Sequence, residues 1–382
     1  MKFMKKLALI FFILSAFAYG NDLGNLKNFY KEEITQREYT IVKGEIINIP
    51  FDDTLEKRDI PIESDIRYQH LKIKLLTGDF KGRTYVIRNT IDQINPYKLI
   101  FKKGEKVLLY QYEKGKSLVG LKIFERSKEN SIYFLVGIFI VFMLLIGGLK
   151  GLKAFITLFL TVIMVVIFLV PMLLKGYPPI PITIVSVAII TIFTLAIVSG
   201  INRKTLAGII GTVLGTIIAG ALAMGVSNFT GLVGMGSEDM QALVYGSNGK
   251  FLNYRGILFS GVIIGALGAV MDVAISIASS MWEIELIEPN ISNAKLMKSG
   301  MNIGKDIMGA MSNTLILAYM GSSLSLVMVF VSYKLSFLEI INLDIVATEI
   351  IRSIAGSIGL ILSIPVTVFV SILLRPKKKE KK

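Results

Sequence analysis

From Ser131 onward the chain is a succession of apolar runs, each close to the 20 or so residues that cross a bilayer as a helix. Seven such runs can be marked, over 131–149, 154–174, 180–200, 205–226, 256–281, 308–333 and 353–374. Backbone amides find no partner in hydrocarbon, so these runs must be helical, and they must pack as a bundle. Hydrophobic residues make up 53% of the chain and charged residues only 18%, which leaves room for one modest soluble domain. With no cysteine present, disulfides, thiolate metal sites and cysteine nucleophiles are excluded.

The soluble part precedes the spans. Residues 1–20 carry Lys2, Lys5 and Lys6, then the apolar run Leu7–Ala18, then small residues at Ala18 and Gly20, the shape of a signal peptide. Cleaved or retained as an anchor, it places residues 21–130 outside the cytoplasm. Within 21–130, the stretches EYTIVKGEIINI, HLKIKLL, RTYVIR, EKVLLYQ and LVGLKIF are short, mostly alternating, and rich in β-branched or aromatic residues. Thr77–Gly82 forms a turn cluster between two of them, the mark of a hairpin. Five short strands predict a small β-barrel of the OB or SH3-like kind. Its expected role is that of an adaptor or spacer that docks an envelope protein partner. His70, the single histidine, is expected at a strand edge and not as a ligand.

Charge sets the orientation. The net charge of +14 does not signal nucleic-acid binding, because residues 21–130 hold 21 basic and 17 acidic side chains. The surplus lies in short loops beside the spans. With the barrel outside, 13 basic residues fall on the cytoplasmic side, among them Lys150, Arg203, Lys295 and Arg375, and five outside, Lys175, Lys250, Arg255, Lys334 and Arg352. The C-terminal RPKKKEKK reads as a cytoplasmic topology anchor in contact with anionic lipid. Between the spans, KGYPPIP (175–181) predicts a stiff bend. Residues 227–255 predict a short helix capped by Ser237, either dipping into the membrane or lying on it. Residues 335–351 predict an interfacial amphipathic helix.

The fifth span holds the most informative side chain. Counting about 100° per residue from Asp272, the residues Gly261, Gly265, Gly268, Ser276, Ser279 and Glu283 all fall within about 40° of it. A carboxylate inside a span costs about 2.5–3.5 kcal/mol unless sheltered, so this helix is expected in the middle of the bundle, with the glycines as a packing face. In the sixth span Asn302, Asp306, Gly309 and Asn313 share a face. Antiparallel packing would bring Asn313 level with Asp272, with Asp306 and Glu283 nearer the cytoplasmic mouth. Gly208, Gly211, Gly215 and Ala219 make a smooth face on the fourth span. Arg352, Gly356, Gly359 and Ser363 make a stripe on the seventh, before a kink expected at Pro365.

Two readings of Asp272 follow. It is the coordinating group of a transporter or permease for a small solute or ion, with Asp272, Asn313, Ser276, Asp306 and Glu283 as binding candidates. Alternatively it only bonds Asn313 and Ser276 and locks the bundle; the rival function is a membrane scaffold or envelope-assembly factor whose β-domain recruits partners. An enzyme is not expected. Two intramembrane acids suit an aspartyl protease, but Asp306 is preceded by Ile303-Gly304-Lys305 and lacks the Gly-x-Gly-Asp pattern. His-Glu-x-x-His, phosphate-loop and Gly-x-Ser-x-Gly motifs are missing as well. No cofactor or metal is expected.

The segments GALGAVMDVAISIASS, SGMNIGKDIMGAMSNTLILAYMGSSL and SIAGSIGLILSIPVT resemble the YibE/F-like family of bacterial membrane proteins. TGDFKGRTYVIRN and KGEKVLL resemble that family's N-terminal region, so the similarity spans nearly the whole mature chain. It implies a multi-pass protein of a bacterial plasma membrane and supplies neither substrate nor mechanism.

Overall fold

The computed structural model of the chain describes residues 39–54, 66–114, 117–246 and 252–376. The expected signal segment, and residues 377–382 of the basic tail, lie outside the described residues. The chain divides into two compact units at Phe142/Met143.

The first unit is built on five strands, β1 (Tyr39–Asp52), β2 (Ile66–Leu75), β3 (Thr84–Asp92), β4 (Lys106–Lys114) and β5 (Ser117–Arg126). Each of the five predicted strand stretches falls on one of them to within a residue at its ends, Glu38 lying outside the described residues. The strands pair antiparallel in the order β3-β2-β1-β4-β5, and β3 approaches β5, so the sheet nearly closes into a barrel. Alternation drives this arrangement. Leu71, Ile73 and Leu75 of β2 point inward to meet Val42, Ile46, Phe101, Val107 and Leu109, all buried. Two register shifts bend the 14-residue β1 so that it serves both halves of the sheet. The β2–β3 hairpin turns at the predicted cluster, with Gly78 and Gly82 at φ of 84° and 86°. A polar plug extends the apolar core. Gln69 donates to Asp52 (2.7 Å) and accepts from the Phe101 amide (3.0 Å), while Asn89 donates to the Leu99 carbonyl (2.7 Å). His70 does not sit at a sheet edge. It lies half-buried on β2, an internal strand, 5.3 Å from the Phe51 ring.

The remainder is helical. Its elements are α1 (Glu129–Ile163), a π-helical turn (Met164–Leu169), α2 (Val170–Leu174), α3 (Pro179–Ser199), α4 (Arg203–Thr230), α5 (Glu238–Gly246), α6 (Tyr254–Ile287), α7 (Asn293–Ser322), α8 (Leu324–Ser332), α9 (Phe337–Asn342) and α10 (Asp344–Leu373). Among the described residues, five helical segments are long and apolar enough to cross a membrane, and six if α7 and α8, bent by 60°, count as one. One of the five is the whole stretch Glu129–Leu174, whose path breaks at Gly148 (φ 52°, ψ −132°). The short helix α5 starts where Ser237 accepts from the Met240 amide (3.3 Å), as the sequence indicates. Residues 335–351 do not form one amphipathic helix. Ser336 and Glu339 close a capping box on the six-residue α9, and α10 begins at once with Asp344. α10 continues through Pro365.

Helix α6 is central and packs on α3, α4, α7 and α10. The closest crossing, however, belongs to α4 and α10. Gly211 abuts Thr367, and a methyl group added at Gly359 would lie 2.6 Å from the Ala219 Cβ and 2.7 Å from the Gly215 carbonyl oxygen. Gly211, Gly215 and Ala219 of α4 therefore meet Gly359, Ser363 and Thr367 of α10, backbone close to backbone.

Candidate functional site

Helix α6 spans 34 residues, about 51 Å at 1.5 Å per residue, and Asp272 stands near its midpoint. It runs beyond the expected end at 281 because Trp282–Ile287 continues the helix past the apolar run.

Two apolar clusters fix how α6 is turned. On one flank Ile263, Leu267 and Met271 pack with Val187 and Ile190 of α3 and Met164 of the π-helical turn. On the other, Ala266, Val270, Val273 and Ile277 pack with Leu360 and Ile364 of α10 and with Ile303, Ile307 and Met311 of α7. The strip between the flanks carries Gly261, Gly265, Gly268, Asp272 and Ser276, and all five are exposed. The helix is therefore central through its other faces, and the Asp272 face is left as an uncovered strip, the groove, with α7 and α10 packed on one flank and α3 with the π-helical turn on the other. A hydroxyl pair, Thr183 donating to Ser260 at 2.8 Å, ties α3 to α6 behind the floor.

The glycine-packing expectation for this strip needs correction. Positions 261 and 268 have nothing within 4 Å of where a Cβ would stand, and the same holds for Gly309 on α7. Only Gly265 is approached closely, by the Tyr319 hydroxyl. Tyr319 thus sits over the groove seven residues, about 10 Å, from Asp272. Its Oη is buried and has no hydrogen-bond partner among the described residues; the same is true of Glu349 Oε2 and Arg352 Nε. Glu349 and Arg352 lie near Tyr319 and pair with each other at 2.8 Å.

Nor does Asn313 face Asp272. Helix α7 packs through Gly300, against Met281 and Val368, and through Gly304, against Ile364. Counting about 100° per residue from Gly304, the residues Asn302, Asp306, Gly309 and Asn313 lie within about 40° of the opposite direction. All four are exposed. The physical reason is the apolar face of α7, where Met301, Ile303, Ile307, Met308 and Met311 have far more area to bury against α6 and α10. Among the described residues no hydrogen bond joins Asp272 to Asn313 or to Ser276. Asp306 sits on this outward face, away from Asp272. Glu283 is exposed on the Asp272 face, 11 residues nearer the end of α6.

Of the candidate residues, then, the fold brings Asp272 and Ser276 together in one groove. It leaves Glu283 at the end of the same strip and separates Asn313 and Asp306 from it. Among the described residues no three His, Asp or Glu side chains gather as a metal cage would require. The sequence reading did not single out Tyr319 or Glu349, because their proximity arises between helices more than twenty residues apart.

No curated protein and no solved structure matches the chain. Two family models do. One, described as YibE/F-like protein, covers residues 135–377, and the other, the YibE/F family N-terminal domain, covers residues 38–123. Together they account for the helical region and the barrel in turn, and the chain belongs to the YibE/F-like family.

Proposed function

We propose that this membrane protein is a transporter or permease that passes a small solute or ion along the α6 groove, with Asp272 as the coordinating group. The observation that carries the reading is the exposed Asp272 carboxylate at the midpoint of a membrane-length helix, free of any lock to Asn313. A carboxylate at that depth is costly against lipid and is characteristic of a polar pathway. Two further features support it. One flank of the groove contains a π-helical turn, a distortion frequent at functional sites, and α7 with α8 forms a helix broken by 60°.

The same reading assigns seven spans. A 46-residue element would extend about 69 Å, more than twice the hydrocarbon thickness, and Gly148 divides it into two spans. The start of α4, the end of α6, the start of α7 and the end of α10 line one cavity, as alternation of the spans requires. At the other end, Arg255 at the start of α6 donates to Ser227 near the end of α4 (3.0 Å). Loop charge then puts the barrel outside and the C-terminus in the cytoplasm of a bacterial cell, behind a signal peptide at 1–20.

The test is a flux screen of small ions and solutes in vesicles reconstituted with the purified chain. Asp272→Asn should abolish the flux that the unaltered chain supports while leaving its yield and elution unchanged. Full flux by that variant would sink the proposal. A second reading, an envelope scaffold, draws on the barrel surface, where Tyr39, Tyr110 and Phe124 form an aromatic row with ring centroids 4.5 and 4.7 Å apart. It gains if Asp272→Asn is harmless in the cell while removal of the barrel is not.

A further inference from the structure

A cavity in the helical unit lies away from Asp272, where α4 begins and α6 and α10 end. It has a volume of about 790 Å³. Its chemistry is divided. Arg375 is structural: its Nε donates to Glu285 (3.2 Å), and its Nη1 donates to the Ile291 carbonyl (3.0 Å) and to Asn293 (2.6 Å). That engagement also occupies Glu285, the one acid among the described lining residues. Arg203 lines the same cavity, and Lys204 lines the small recess that shares Arg203, Trp282 and Glu285 with it. Neither Arg203 nor Lys204 makes a side-chain hydrogen bond or ion pair among the described residues. Among the described residues the site therefore holds two uncommitted cations beside a neutralised pair. The lining also carries apolar groups, Trp282, and Leu286 and Leu373, which run out to the surface at 59% and 65% exposure.

We propose that this cavity binds a phosphate-bearing amphiphile, its phosphate on Arg203 and Lys204 and its apolar part along Trp282, Leu286 and Leu373. Two guanidinium or ammonium groups without partners provide charge-assisted hydrogen bonds to phosphate oxygens. The exposed leucines provide a surface that is favourable only if apolar matter covers it. Position favours a membrane phospholipid over a soluble phosphoester. The cavity forms at the level where three apolar helices end, which is headgroup depth, and an indole is the side chain that prefers that level.

The chain offers its own reporter, because Trp282 is its single tryptophan. The purified full chain in nonionic detergent is titrated with phosphatidylglycerol or phosphatidylcholine carrying identical brominated acyl chains, and Trp282 quenching is followed. Saturable quenching by the anionic lipid at several-fold lower mole fraction than by the zwitterionic one is expected. Arg203→Gln and Lys204→Gln should each raise the half-quenching concentration about fivefold, and Arg203→Lys should stay close to the unaltered chain. Both substituted side chains lie at the first turn of α4, outside the packed core, and an unchanged emission maximum and elution volume verify folding. Reversal of the quenching by glycerol 3-phosphate at matched concentration would keep the phosphate site but assign it to a soluble phosphoester. Equal quenching by both lipids, unchanged in the variants, would overturn the proposal by showing an apolar crevice without anion recognition. None of these outcomes depends on transport.

Discussion

Replacing Gly359 by alanine places a methyl group against atoms that cannot move aside. It would meet the Ala219 Cβ at 2.6 Å and the Gly215 carbonyl oxygen at 2.7 Å, both well inside van der Waals contact and both fixed to helix backbone. Overpacking of this kind costs about 1–3 kcal/mol, and the upper half of that range applies because no flexible side chain can yield. Alanine returns about 1 kcal/mol of helix propensity. The net loss is about 1–2 kcal/mol, or a fall in Tm of about 2–8 °C at roughly 2–4 °C per kcal/mol for a unit of this size. The companion variant is Gly268→Ala, one turn from Asp272, where nothing lies within 4 Å. There only the propensity gain remains, and Tm should hold or rise by about 2–4 °C. Thermal unfolding of both variants in detergent, followed by the fluorescence of Trp282, measures the contrast. If Gly268→Ala loses as much as Gly359→Ala, the Asp272 face is covered and the open groove is refuted.

Other consequences can be checked separately. Arg375→Ala strands Glu285 and the Ile291 carbonyl, and should cost about 2–4 kcal/mol with faster hydrogen exchange at the start of α7. Tyr319→Phe removes a hydroxyl that has no hydrogen-bond partner among the described residues, so Tm should change by no more than about 2 °C; a large fall would mean that the hydroxyl is bonded. In the barrel, Tyr97 donates to Glu125 at 2.5 Å, and this bond, then that from the Arg126 amide, holds the carboxyl below the usual glutamate range. A lowered folded-state pKa means that the stabilisation is complete above the unfolded glutamate value and disappears as the pH falls through the folded one. Tyr97→Phe should therefore weaken the barrel at pH 7, by less than about 1 kcal/mol, and flatten its acid-side loss of stability, both read from unfolding midpoints between pH 3 and 7.

Much of the fold is legible in the residues, for local reasons. Period-two alternation at Leu71, Ile73 and Leu75 fixes which side of β2 faces the core, and Ser237 marks the start of α5 through one cap. The glycine stripes of α4 and α10 are visible in sequence too, as surfaces suited to close approach. What periodicity cannot supply is the partner. Spacing shows that Asn302, Asp306 and Asn313 share a face, yet the larger apolar face of the same helix wins the packing and turns them outward. Asp272 was identifiable as an acid inside a span. Its openness was not, because it depends on which flanks of α6 the other helices occupy. The cavity of Arg203, Trp282 and Arg375 joins three helix ends spread over more than 170 residues of sequence, and no local signal connects them.

Whether water reaches the middle of α6 is the question on which the account turns, and the cysteine-free chain allows it to be asked directly. Single cysteines at Gly268 and Ser276, on the groove floor, are compared with cysteines at Val273, which is buried, and Leu145, which is exposed on α1. Alkylation needs a thiolate, and a thiolate forms only where water solvates it. In intact membranes a small, charged, water-soluble maleimide should label the Gly268→Cys and Ser276→Cys variants and spare those at Val273 and Leu145. Labelling of the floor positions no faster than at Leu145 would show that the Asp272 face meets lipid or protein, and would contradict the pathway.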